Sequence, residues 1–145
     1  RKMDCNASTM EGLGNLNVKK IAIANPDHAP YGMRAKESLQ FYGHYDAVKS
    51  KLVMGENISQ TAQFLSTGAA DIGIVALSLA LSPSMKKYGK RYFLLPENSH
   101  EPLLQGAMIT EFGKGNADAT SFFEFLKSES AAKIFKAYGF TQKVK

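Results

Sequence analysis

Val18-Lys19-Lys20-Ile21-Ala22-Ile23-Ala24, running directly into Asn25-Pro26-Asp27-His28-Ala29-Pro30-Tyr31-Gly32, is the stretch on which the fold turns. Its first part is almost continuously apolar, which suits a strand covered on both faces rather than one with a wet side. Two prolines and a glycine then end the strand in a rigid loop. The helical spacing of Ala35, Leu39 and Tyr42 predicts a helix from about Gly32 to Tyr42, with Gly43 as its stop.

The same succession recurs downstream. Lys51-Leu52-Val53-Met54 reads as a short strand, and Gly55-Glu56-Asn57 leads into a second helix with Asn57 as its N-cap. Ile58, Thr61, Ala62 and Leu65 share one face of that helix, Gly68 closes it, and Ala70 to Leu77 reads as another buried strand. Strand, helix, strand, helix, strand predicts an α/β fold with a parallel or mixed sheet flanked by helices. After a break at Ser82-Pro83-Ser84, Tyr92-Phe93-Leu94-Leu95 is expected as a fourth strand ended by Pro96. A fifth is expected from Pro102 to Thr110 on the apolar anchors Leu104, Met108 and Ile109. The end of the chain reads as helical, with Phe122, Phe123 and Leu126 in one apolar patch, Ala131, Ile134, Phe135 and Tyr138 in another, and Gly139 as terminator.

Composition narrows the function. A hydrophobic fraction of 44% with 21% charged residues describes an ordinary globular chain, and no apolar run approaches the length of a membrane span. The net charge of +5 raises nucleic acid as a partner. The basic residues nevertheless occur in short groups, Lys19-Lys20, Lys49 with Lys51, Lys86-Lys87 and Lys90-Arg91, without a stripe interleaved with stacking aromatics, so nucleic acid is excluded as a partner. A mildly favourable field for anions is what remains. Cys5 is the only cysteine, and His28, His44 and His100 are far apart, so neither a thiolate cluster nor a helical histidine pair is available to a metal.

Ligands of open α/β sheets bind at the carboxyl ends of strands. Pro26 to Gly32 and Gly55 to Ile58 lie there, and both run into helices whose free N–H groups and positive dipole ends suit an anion. Neither has the glycine spacing of a nucleotide-binding loop. An enzyme finds less support. Asp27 and His28 are adjacent and Ser78, Ser82 and Ser84 are available, but no Gly-x-Ser-x-Gly elbow presents a nucleophile. Asp27 reads as the cap of the following turn.

These loops also carry a resemblance. Asn25 to Gly32 followed by Ala35-Lys36-Glu37-Ser38-Leu39, then Gly55-Glu56-Asn57-Ile58, Ala70-Asp71-Ile72-Gly73-Ile74-Val75 and the ending Ser130 to Phe140 resemble periplasmic molybdate-binding proteins of ABC importers. The resemblance implies a periplasmic-binding-protein-like fold of two α/β lobes closing over the anion. It implies backbone N–H donors at Tyr31 and Ile58. At Ala76 some members of the family carry a tyrosine hydroxyl that this chain lacks. It further implies a ligand of molybdate or tungstate, a membrane ABC permease as partner, no cofactor and a periplasmic or extracytoplasmic location. Residues 18–95 correspond to the second lobe, and residues 103–142 to the return strand and C-terminal helices of the first. The opening of the first lobe has no counterpart, so weak binding, or a companion chain that completes the cage, is expected. A ligand-sensing domain of a transcription regulator would need a helix-turn-helix that is not visible. An inactive fragment of a binding protein is the other alternative. Molybdate and sulfate are unprotonated dianions that need donors only, whereas phosphate keeps a proton and wants an acceptor. The resemblance, not this chemistry, selects molybdate over sulfate.

Overall fold

A computed structural model of the chain describes residues 10–14, 17–88 and 92–141; Cys5, Lys90 and Arg91 lie outside them, as does the end of the 103–142 segment. The first strand, β1 (Ile21–Ala24), has all its residues fully buried. Backbone polar groups tolerate such burial only when they are paired. Here β2 (Leu52–Gly55) pairs with β1 along its whole length, Ile21 opposite Leu52 and Ala24 opposite Gly55, and β3 (Ile72–Gly73) pairs on the other side, Ile21 opposite Ile72. The order is β2-β1-β3 and both pairings are parallel, so every connection is a crossover.

The crossovers supply the cover. α1 (Pro30–Phe41) and the short α2 (Tyr45–Val48) join β1 to β2, and α3 (Ile58–Ser66) joins β2 to β3. Gly43 and Gly68, both at positive φ, close α1 and α3. The right-handedness of such connections puts α1 and α3 on opposite faces of the sheet. On one face Ile21 and Val18 cluster with Leu39, Val48, Met10 and Leu13. On the other, Ala22 and Leu65 close over Gly73, where an added Cβ would lie 3.1 Å from each side chain.

The observed elements correct several expectations. α1 begins at Pro30 rather than Gly32, because proline is suited to a first helical position. The strand expected over Ala70 to Leu77 shrinks to Ile72–Gly73, with Ile74 N–H still donating to Ala22 C=O at 2.9 Å. It is half-buried rather than buried, since β1 holds only one of its edges. Tyr92 to Leu95 and Pro102 to Thr110 form no strand, and Leu104 and Met108 are 78% and 80% exposed. A strand exists by pairing, and neither segment finds a partner among the described residues; β-propensity alone does not supply one. The helices α4 (Leu77–Ala80) and α5 (Pro83–Lys86) follow β3, the latter opened by the predicted break at Pro83.

The chain divides into two units, Arg1–Leu103 and Leu104–Lys145. The second consists of α6 (Ala117–Leu126) and α7 (Glu129–Ala137), which pack on each other. Asn116 caps α6 and Ser128 caps α7 through their side-chain oxygens. Within this unit Phe122 stacks on Phe125 at 6.4 Å between centroids, while Phe122 and Ile134, members of the two expected apolar patches, remain more than half exposed.

Two carboxylate hydrogen bonds lock the entrance of the sheet. Asp71 Oδ2 accepts from Lys19 N–H at 2.8 Å and Lys20 N–H at 2.9 Å, while Asp71 N–H returns to Lys20 C=O at 3.0 Å. The Lys20 and Lys19 amides hold the Asp71 carboxyl below its ordinary range. A depressed carboxylate contributes stability above its unfolded pKa and loses it as pH falls through the folded one. Replacing Asp71 by Ala is therefore expected to lower the unfolding temperature at pH 7. The gap from the native chain should close as the pH falls below the ordinary aspartate range, which a series of thermal melts against pH checks.

Candidate functional site

Because the three strands are parallel, their carboxyl ends share one edge of the sheet, and each leads straight into a helix. Residues 25–29 connect β1 to α1, residues 56–57 connect β2 to α3, and residues 74–76 connect β3 to α4. The edge is thus lined by helix N-termini, where the first turn has N–H groups that no preceding carbonyl can take.

The hydrogen bonds identify the amides that remain. In α1, Gly32 and Met33 N–H both donate to Ala29 C=O, and Tyr31 N–H has no acceptor among the described residues. In α3, Asn57 Oδ1 accepts from Gln60 N–H at 2.9 Å and Asn57 C=O from Thr61 N–H at 3.1 Å, which leaves Ile58 and Ser59 N–H without an acceptor among the described residues. In α4, Ala76 C=O takes Leu79 and Ala80 N–H, leaving Leu77 and Ser78 N–H without an acceptor among the described residues. Tyr31 and Ile58 therefore lie at the starts of helices that meet this edge, Tyr31 second in α1 and Ile58 first in α3. Ala76 is the buried residue before α4 and offers no side-chain cap or hydroxyl. The Tyr31 ring is half-buried, and that burial pushes its phenol pKa up.

Close backbone approach builds this edge. A Cβ added at Gly32 would fall 2.2 Å from Ala24 O, so the first turn of α1 is pressed against the end of β1. A Cβ at Gly55 would fall 2.9 Å from Thr61 N and 2.8 Å from its Oγ1, so the end of β2 is equally tight against α3. The loop between β1 and α1 is held by Asn25, whose Oδ1 accepts from Asp27 N–H at 3.0 Å. This corrects the expectation that Asp27 caps the turn. Asn25 reaches the amide two residues on, whereas Asp27 is exposed and the residue before the helix is Ala29, which has no side-chain cap.

Sequence reasoning also missed a link between the two loops. His28 Nε2 lies 3.0 Å from Glu56 C=O and 3.3 Å from Glu56 Oε2. Nothing in the spacing of positions 28 and 56 signals this; it follows from the parallel register, which extends past the strands through Asn25 N–H to Gly55 C=O at 2.7 Å. Farther along α1, Ser38 Oγ meets Ser99 Oγ at 3.0 Å in a buried contact, and Glu37 Oε2 accepts from Glu101 N–H at 2.9 Å. The Arg34 side chain, then the Glu101 amide, keep the Glu37 carboxyl below its ordinary range. These contacts fasten residues 96–101 to α1. Among the described residues no group of His, Cys, Asp and Glu is arranged to hold a metal ion.

The sequence matches the family of bacterial extracellular solute-binding proteins over residues 2–141. It is 41% identical over 122 residues to the molybdate-binding protein ModA of Azotobacter vinelandii, a match that takes in 84% of this chain and 48% of that relative. The corresponding figures for the molybdate-binding protein ModA of Escherichia coli are 36% identity over 128 residues, 88% and 48%. The chain thus spans about half the length of the curated relatives it matches. Its fold is that of the solved periplasmic molybdate-binding protein of A. vinelandii, with a TM-score of 0.84 and 30% identity, covering 99% of this chain and 62% of that one.

Two substitutions test the architecture of the edge. Gly32→Ala drives a methyl group into a main-chain oxygen that cannot move aside, and is expected to cost about 1–3 kcal/mol or more. Asn57→Ala removes the α3 cap at about 1 kcal/mol. Urea unfolding midpoints check both, and the order of the two losses should follow the order of these figures.

Proposed function

The chain belongs to the bacterial extracellular solute-binding proteins, and from that premise we propose that it takes part in capturing a tetrahedral oxyanion, molybdate or its near-isostere tungstate, for delivery to an ABC importer. The observation that carries the reading is the convergence of helix N-termini, with their unclaimed N–H groups, on one edge of a parallel sheet. The molybdate-binding character of the relatives selects the anion. In this reading Tyr31 N–H and Ile58 N–H donate to the oxyanion from α1 and α3. Ala76 marks where a further side-chain donor is wanting.

Such a site works without a formal countercharge. Backbone donors and helix dipoles are fixed before the anion arrives, so they stabilise it with little reorganisation. A dianion that is fully deprotonated at neutral pH needs donors only, which amides supply. The role is binding rather than catalysis, since donors alone provide neither a nucleophile nor a base. The location that goes with it is periplasmic or extracytoplasmic, where an importer collects its solute; no helix among the described residues is long and apolar enough to cross a membrane. The remaining donors of a closed cage would come from the part of the binding protein that its relatives have beyond this match, or from a companion chain.

Titration with sodium molybdate, followed by calorimetry, is expected to give weak one-to-one binding, with sulfate a poorer competitor and phosphate poorer still. Proline at the first helical position of α3 removes one N–H while preserving the helix, and Asn57 already has the extended backbone a following proline requires. Ile58→Pro should therefore weaken molybdate binding about tenfold or more, the scale of one hydrogen bond to a charged group. No saturable binding by the native chain at millimolar molybdate, or a preference for phosphate, would sink the proposal.

A further inference from the structure

The two loops proposed to hold the anion are tied to each other by one side chain. The β1–β2 ladder ends at the bond from Asn25 N–H to Gly55 C=O, and beyond it the chains diverge into α1 and α3. Among the described residues the side-chain bridge across that gap is His28 Nε2, 3.0 Å from the Glu56 carbonyl. A carbonyl only accepts, so Nε2 carries the proton. The ion pair with Glu56 Oε2 is exposed on both sides, 49% and 75%, and such pairs contribute little. The bond to the main chain is the one with consequences. A trans peptide sets its C=O and N–H in opposite directions. Fixing the Glu56 carbonyl towards His28 therefore fixes the plane of the Glu56–Asn57 peptide and the entry of the chain into Ile58.

We infer that His28 is a positioning residue for oxyanion binding: by holding the Glu56 carbonyl it keeps the amides of Tyr31 and Ile58 in register as a single site. This rests on the anion reading and adds a role to a residue outside the donor set. The test is a sodium molybdate titration of the whole chain followed by the backbone amide resonances of Tyr31 and Ile58, which reads even weak binding at each donor. In the native protein both amides should shift with one shared midpoint. His28→Ala should raise that midpoint about three- to tenfold, the scale of a lost neutral hydrogen bond, without changing the unfolding temperature by more than a degree or two. His28→Gln places an N–H at nearly the same reach and should restore most of the affinity. Glu56→Gln, which removes the ion pair but keeps the carbonyl, should move the midpoint less than His28→Ala. Absence of any shift in the native protein removes the anion reading and this inference with it. A native titration with an unchanged midpoint in His28→Ala, or no rescue by His28→Gln, overturns the positioning role alone.

Discussion

A four-residue strand with no exposed surface, β1, fixes most of what surrounds it. Its backbone groups can leave water only if strands pair with it on both edges, and its side chains only if helices cover both faces. Parallel partners meet both demands together, because a parallel neighbour is reached by a crossover and the crossover is the helix. The same choice sends every strand to the same edge before its helix begins. A set of helix N-termini along one line is thus a by-product of burying Ile21 to Ala24, not a separate invention.

That by-product has chemical value because the helix starts are not all self-satisfied. Asn57 caps α3 by bonding Gln60 N–H, which leaves the two amides before it. Ala29 and Ala76, which precede α1 and α4, have no side-chain oxygen to offer as a cap. Glycines at 32 and 55 then bring the helix starts hard against the strand ends, where any side chain would collide with main-chain atoms. Small residues at this edge therefore act twice, by permitting close approach and by leaving amides unclaimed.

The second unit follows another logic. α6 and α7 are well capped and pack together, yet Phe122, Ile134 and the extended residues around Leu104 and Met108 keep much of their apolar surface. Local sequence suffices to make helices, since caps and i to i−4 bonds lie within the segment itself. It does not suffice to make a strand, whose partners lie elsewhere. This is why the C-terminal helices appear where the pattern put them and the strands expected at Tyr92 to Leu95 and Pro102 to Thr110 do not.

The α/β class, the order of the first strands and helices, and the stops at Gly43 and Gly68 were all legible in the residues of the chain. So were the cap at Asn57 and the two loops that lead into the helix starts at Tyr31 and Ile58. Each is written in neighbouring residues, through periodicity, capping chemistry or the conformational freedom of glycine. Long-range pairing was needed to make β1 central, to give Asn25 rather than Asp27 the hold on the first loop, and to bring His28 to Glu56 across the ladder. The reason is register: which residues face one another across parallel strands depends on the pairing of segments about thirty residues apart, and no local spacing encodes that distance.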